Sequence, residues 1–263
     1  MIQTIRGIAT RHFSSSTRKG PRHAHLLWQL RKRGCRTTID KHGNIWVEKG
    51  SGSGLTLFSA HMDVDPRIKI AKLKGFRYGK NHMLHGVLDN SVGCYINLLL
   101  AQKGPKKGKA IYVFTASEEI HRNKQRKFCT SAREIVRELR KRRMKPRLCV
   151  AIDVTHPKLL KAQEKTDWTR KHEEIFDIKD KTCCYIDGYV RRKVRKTCER
   201  LAKGFKDTQV DIRKLVGHDE AYVYSKLCPS FAFGPVVMGR FDRPNQQMPI
   251  KNLIIALKFL RKI

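Results

Sequence analysis

Three strand-length apolar runs, each leading at once into acidic residues, limit most tightly how this chain can fold. Residues 55–60 (LTLFSA) run into His61-Met62-Asp63, residues 110–116 (AIYVFTA) into Ser117-Glu118-Glu119, and Leu148–Ile152 (LCVAI) into Asp153. Short continuous apolar runs bounded by polar residues read as strands buried on both faces. Helical patterns alternate with them. Residues 20–34 carry Leu26, Leu27 and Leu30 on one face before a Gly stop, 90–102 read NSVGCYINLLLAQ, and 129–144 form a basic helix. Further on, 190–205, 218–227 and 250–263 read as helices, and 208–212 and 230–233 as strands. Residues 35–40 and 44–48 flank a Gly- and Asn-bearing turn and read as a hairpin. The pattern predicts an α/β fold: a single domain over 1–263 with a mostly parallel central sheet and helices on both faces. The less regular stretch 156–188 reads as a loop or lid, and no separate dimerisation domain is expected.

The acids matter because they are few. Nine fall in the first 150 residues, and four of them, Asp63, Asp65, Glu118 and Glu119, follow apolar strands; another of the nine, Asp89, opens the helix in GVLDNSVG. In an open α/β sheet, ligands bind outside the carboxyl ends of the strands, so these side chains converge on one rim. Carboxylates crowded without cations repel one another and resist ionisation. One or two bound divalent ions remove that conflict, and one imidazole with several carboxylates suits Zn, Mn or Co. Singly, each residue has a structural explanation. The histidine is a satisfied polar residue at a strand end, the Glu pair sits at a helix start, Asp89 is an N-cap, and Asp153 is a turn residue. Four such elements, in order at successive strand ends, favour the metal reading.

The charge points elsewhere. Lys and Arg number 57 against 23 Asp and Glu, a net charge of +34. Such a field draws polyanions, so non-specific nucleic acid is one expected partner. The basic residues are spread along the chain, densest in RELRKRRMKPR (137–147), without an RNA-recognition signature, zinc-finger spacing or interleaved aromatics. Sequence-specific recognition is therefore not expected. A lysine- and arginine-rich surface common to the source proteome accounts for the charge equally well. Eight cysteines without CxxC spacing imply free thiols in a reducing, cytoplasmic setting. The first 39 residues lack any acid, which has a transit-peptide flavour, but the basic excess continues throughout and a leader is the lesser reading. No apolar stretch approaches the roughly 20 residues of a membrane span.

Taken in order, DKHGNIWVEKG, SAHMDVD, GVLDNSVG, TASEEI and AIDVTHP resemble the motifs of co-catalytic zinc aminopeptidases. The likeness is above all to glutamyl and deblocking aminopeptidases, with relatives among peptidase T and the zinc carboxypeptidase-like exopeptidases. It covers most of 22–155 and, more loosely, 209–253. The resemblance implies two divalent ions, zinc before cobalt or manganese. It assigns His61 and Asp153 to the first metal, Asp89 to a bridge, Glu119 to the second metal and Glu118 to the general base. Asp63 would orient His61 through its other ring nitrogen. The family's last ligand is a His near a Gly-Pro turn. In SFAFGPVVMGRFDRPNQQMP that position falls on Asp242, with His218 of GHDEA as another stand-in. The chain also lacks room for the family's second domain. The activity implied is removal of N-terminal residues from peptides. An amidohydrolase or deacylase, and a basic polyanion-binding or assembly protein with an impaired site, stay open.

Overall fold

The computed structural model describes residues 1–14, 18–119, 129–155, 183–189, 192–213, 220–239 and 243–263. Its strands are β1 (Thr37–Ile39), β2 (Ile45–Gly50), β3 (Leu55–His61), β4 (Arg77–Tyr78), β5 (Met83–Gly86) and β6 (Lys109–Thr115), followed by β7 (Leu148–Ile152), β8 (Cys184–Tyr189), β9 (Thr208–Arg213), β10 (Ser230–Pro235) and β11 (Gln246–Pro249). The helices are α1 (Ile2–Ala9), α2 (Pro21–Lys32), α3 (Ser91–Lys103), α4 (Thr130–Lys141), α5 (Arg192–Ala202), α6 (Glu220–Tyr224) and α7 (Ile250–Leu260).

Eight strands form the main sheet in the order β1-β2-β6-β3-β7-β10-β8-β9. Its centre, β6-β3-β7-β10, is parallel throughout. Antiparallel pairs flank it: the β1-β2 hairpin continues onto β6, and β8 runs against β10 before β9 pairs parallel to it. The expected single-domain α/β architecture is what the chain adopts, with a mixed sheet whose parallel part lies at the centre.

The central strands are buried on both faces, and alternate residues explain why. Leu57 of β3 and Ile111 and Val113 of β6 join Ile135 and Leu139 of α4 and Tyr224 of α6 in one cluster. Phe58, Ala60, Tyr112 and Phe114 face the other way, into a larger cluster with Ile5, Leu26, Ile96 and Leu253 from α1, α2, α3 and α7. A period of two on strands apolar at every position demands helices on both sides. No helix among the described residues is long and apolar enough to cross a membrane.

Three features depart from the sequence reading. Residues 184–189, inside the stretch read as a loop or lid (156–188), form strand β8, while 156–182 lie outside the described residues. Pairing on both edges, with β10 and β9, holds a segment whose Asp and Gly hide its strand character. Helix α1 lies in the acid-free first 39 residues, where the sequence reading assigned no element before residue 20. Its Ile5, Ile8 and Ala9 are fully buried in the main core. A second, three-stranded sheet, β11-β5-β4, has no counterpart in the sequence reading, and it joins residues far apart in sequence.

Close backbone approach fixes the edge of the parallel core. A Cβ built on Gly234 of β10 would lie 1.3 Å from the carbonyl oxygen of Asp153. The neighbouring ladder bond, Asp153 N–H to Phe233 O at 3.1 Å, holds the end of β7 against β10. Only glycine fits, because backbone on both sides cannot give way. Gly234→Ala should therefore force β10 away from Asp153 and destabilise the fold by about 3 kcal/mol, read as a lowered midpoint in denaturant unfolding.

Candidate metal centre

The carboxyl ends of β3, β6 and β7 come together, as the rule for open sheets requires. His61 is the last residue of β3, Glu118 and Glu119 follow β6, and Asp153 follows β7. His61, Glu118 and Glu119 are buried, and Asp89 is 8% exposed. Asp89 arrives from the loop before α3, whose N-cap is Asn90. The Asn90 Oδ1 accepts the Gly93 N–H at 2.9 Å, so the capping role considered for Asp89 falls to its neighbour. The Asn90 amide donates to Ile152 O at 2.7 Å, tying the start of α3 to the end of β7.

Asp63 organises the centre. It is fully buried, and its carboxylate accepts the Glu118 N–H at 3.1 and 3.0 Å and the Glu119 N–H at 2.7 Å. It also lies 3.2 Å from His61 Nδ1. The imidazole is thereby turned so that Nε2 meets Asp89 Oδ1 at 3.2 Å, Asp153 Oδ1 at 3.5 Å and Glu118 Oε2 at 3.8 Å. Two ligand groups result, His61-Asp89-Asp153 and His61-Glu118-Glu119, each with donor atoms within 4.8 Å of one another. Imidazole and carboxylate oxygens at that spacing are a donor set that fits a zinc-class divalent ion. Asp242 and His218, the two readings of the last ligand, lie outside the described residues.

The electrostatics show what the crowding costs. Burial alone would strip the proton from His61, yet the charges of Glu118 and Asp153, with hydrogen bonds to Asp153 and Asp63, hold it well above its ordinary value. Burial raises the Asp153 carboxyl, and the Asp89 charge raises it further against the pull of His61. Without an ion, a protonated imidazole serves as the local cation, and a metal at Nε2 would take that proton's place.

Three residues of the surroundings carry no signature in the sequence. Arg22 is fully buried and donates through Nη1 to Met62 O at 2.9 Å and through Nε to Ile8 O and Arg11 O at 3.1 and 3.0 Å. Burial lowers its pKa, while Cys94, Asp63 and Asp89 counter the loss, so a fixed guanidinium backs the acids. Gln246 of β11 accepts the N–H groups of Leu88 and Asp89 at 2.6 and 2.8 Å, fixing the backbone that carries Asp89. Glu220 opens α6 within GHDEA, where attention went to His218. It is 4% exposed, and burial pushes its carboxyl up to about 7 against hydrogen bonds from Thr115 and Ser59. Only a tertiary contact distinguishes such lone polar residues from surface ones.

The chain is similar to known proteins in sequence pattern and in fold. The pattern of "Peptidase family M20/M25/M40" matches residues 57–263. No curated protein sequence matches the chain. Among solved structures, an aminopeptidase from the archaeon Desulfurococcus kamchatkensis superposes with a TM-score of 0.74 at 14% identity, covering 99% of this chain and 93% of its own. A TET aminopeptidase from a marine sediment thaumarchaeon gives 0.72 at 11% identity, with 99% and 94% covered. The Pyrococcus horikoshii TET1 peptidase, which assembles into a tetrahedron or a large octahedral shell, gives 0.65 at 13%, with 91% and 93% covered. At these identities the likeness is one of fold.

The raised Glu220 carboxyl makes a pH-dependent contribution to stability. Its folded value, about 7, exceeds the ordinary 4.5, so the folded state holds a proton that the unfolded chain has released. That stability is fully present below 4.5 and is lost as the pH rises through about 7. A shift of this size is worth about 3 kcal/mol. In metal-free protein, Glu220→Gln should abolish this loss, so denaturant midpoints of the variant and wild type should diverge with rising pH, the variant becoming the more stable.

Proposed function

This chain belongs to peptidase family M20/M25/M40, and from that premise we propose that it is a metal-dependent aminopeptidase removing N-terminal residues from peptides. The observation that carries the proposal is the convergence of His61, Asp89, Asp153, Glu118 and Glu119 on one buried rim, organised by Asp63. The family works with divalent metal ions. In this reading His61, Asp89 and Asp153 hold one ion, with zinc favoured over cobalt or manganese. Asp89, Glu119 and Asp242 would hold a second. Bound there, such ions would supply Lewis acidity toward the scissile carbonyl and toward water.

The chain's own residues do the rest. Asp63 keeps the His61 ring turned with Nε2 toward the carboxylates, so the ligand needs no reorientation on binding. Glu118 is buried and sits 3.8 Å from His61 Nε2, beside both ligand groups. It takes the proton of the attacking water on a carboxylate oxygen and returns it to the leaving amine nitrogen. The backbone N–H groups of Glu118 and Glu119 are engaged by Asp63, which fixes the backbone that carries both side chains. An amidohydrolase or deacylase would use the same groups, and only substrates distinguish it.

A second reading rests on the surface charge. Arg147, Arg200 and Lys262 line a cleft of about 420 Å³ at the amino ends of β7 and β10, floored by Leu148, Leu201 and Pro229. With a net charge of +34 this surface suits a polyanion such as nucleic acid. Binding of that kind should be tight in dilute buffer and fall log-linearly with salt. A complex that survives high salt, or no binding at low salt, would exclude it.

Activity is the direct test of the first reading. Supplied with zinc, manganese or cobalt, the protein should hydrolyse aminoacyl amides in preference to N-acyl amino acids. Glu118→Gln should keep its metal content by mass spectrometry and lose several orders of magnitude in turnover. Asp242→Ala should lose mainly the second ion, and Asp242→His should keep or raise activity. If no amide is cleaved with any of the three metals, the assembly-protein reading replaces this one.

A further inference from the structure

We infer that Cys149 and Cys228 form a reversible disulfide at the pole of the sheet opposite the carboxylate rim. Cys149 is the second residue of β7, near its amino end, whereas Asp153 follows that strand's carboxyl end. Cys228 lies between α6 and β10. Their sulfurs are 3.2 Å apart, within reach of a bond after small side-chain rotations. The backbones are already locked in position. The Cys149 N–H donates to Pro229 O at 3.0 Å, the Cys228 N–H to Tyr224 O at 3.2 Å, and Cys149 pairs with Ser230 in the sheet.

The two thiols differ in access, which sets the order of events. Cys149 is fully buried, and burial raises its pKa far above the usual thiol range. Cys228 is only partly buried. Cys228 therefore meets the oxidant, a small disulfide of the glutathione class. Its thiolate attacks one sulfur of that molecule and expels the other half as a thiol. Cys149 then loses its proton and attacks the Cys228 sulfur of the mixed disulfide, expelling the second half. Two protein thiols are oxidised, one small disulfide is reduced to two thiols, and the two protons leave on those thiols. The bond closes a loop across a sequence separation of 79 and constrains the unfolded chain. It also staples β7, which leads to Asp153, to the segment that enters β10. The inference does not depend on the catalytic reading.

The test uses the full chain, fully reduced and then equilibrated with glutathione disulfide, with thiols alkylated under denaturing conditions. The expected result is that two of the eight cysteines resist alkylation, and that a non-reduced digest contains one peptide pair joined through Cys149 and Cys228. The oxidised protein should melt at a higher temperature than the reduced protein, and Cys228→Ser should lose both the protection and the difference. Alkylation of all eight cysteines would overturn the inference. So would a Cys228 that stops at the glutathione adduct, or a link between any other pair.

Discussion

The arrangement depends on one buried carboxylate. Asp63 has no access to water, and its two oxygens are taken up by the backbone N–H groups of Glu118 and Glu119 and by the His61 ring. It thereby joins the end of β3 to the end of β6 and fixes the aim of three other side chains at once. A buried ionised carboxylate is tolerable only when donors surround it. Here those donors are the groups that the proposed chemistry needs held still.

Behind Asp63 the structure works against its own electrostatics. Asp89, Glu118, Glu119 and Asp153 crowd one rim, and burial together with the Asp89 charge raises the Asp153 carboxyl. The fold answers with Arg22, buried beneath the rim, and with a His61 that keeps its proton despite burial. Glu220 answers differently, by having its carboxyl raised to about 7 beside Thr115 and Ser59. Residual like-charge repulsion of this kind is the setting in which a divalent cation binds with most gain. A rim tuned for stability alone would hold fewer acids.

What the sequence disclosed follows from how local each signal is. The three apolar runs ending in His61, Glu118 and Asp153 were legible because strand, burial and acid are contiguous in the chain. Helix α3 was legible for the same reason, although its cap proved to be Asn90 rather than Asp89. Gln246, Arg22 and Glu220 were not legible, since each acts across a long sequence separation and looks locally like any surface polar residue. Strands β5 and β11 are short and pair across a long sequence separation, and α1 is helical against a core that its own sequence does not reveal. Non-local pairing of this kind leaves no periodic trace.

Crystals of the protein grown with zinc would show directly where cations sit, through the anomalous signal at the zinc edge. The expected map has two peaks at the carboxyl ends of β3, β6 and β7. One should lie about 2.0–2.2 Å from His61 Nε2 and from an oxygen of each of Asp89 and Asp153, and the other should share Asp89 and contact Glu119. A map with no peak at this rim, and with His61 Nε2 still bonded to the carboxylates, would contradict the metal reading.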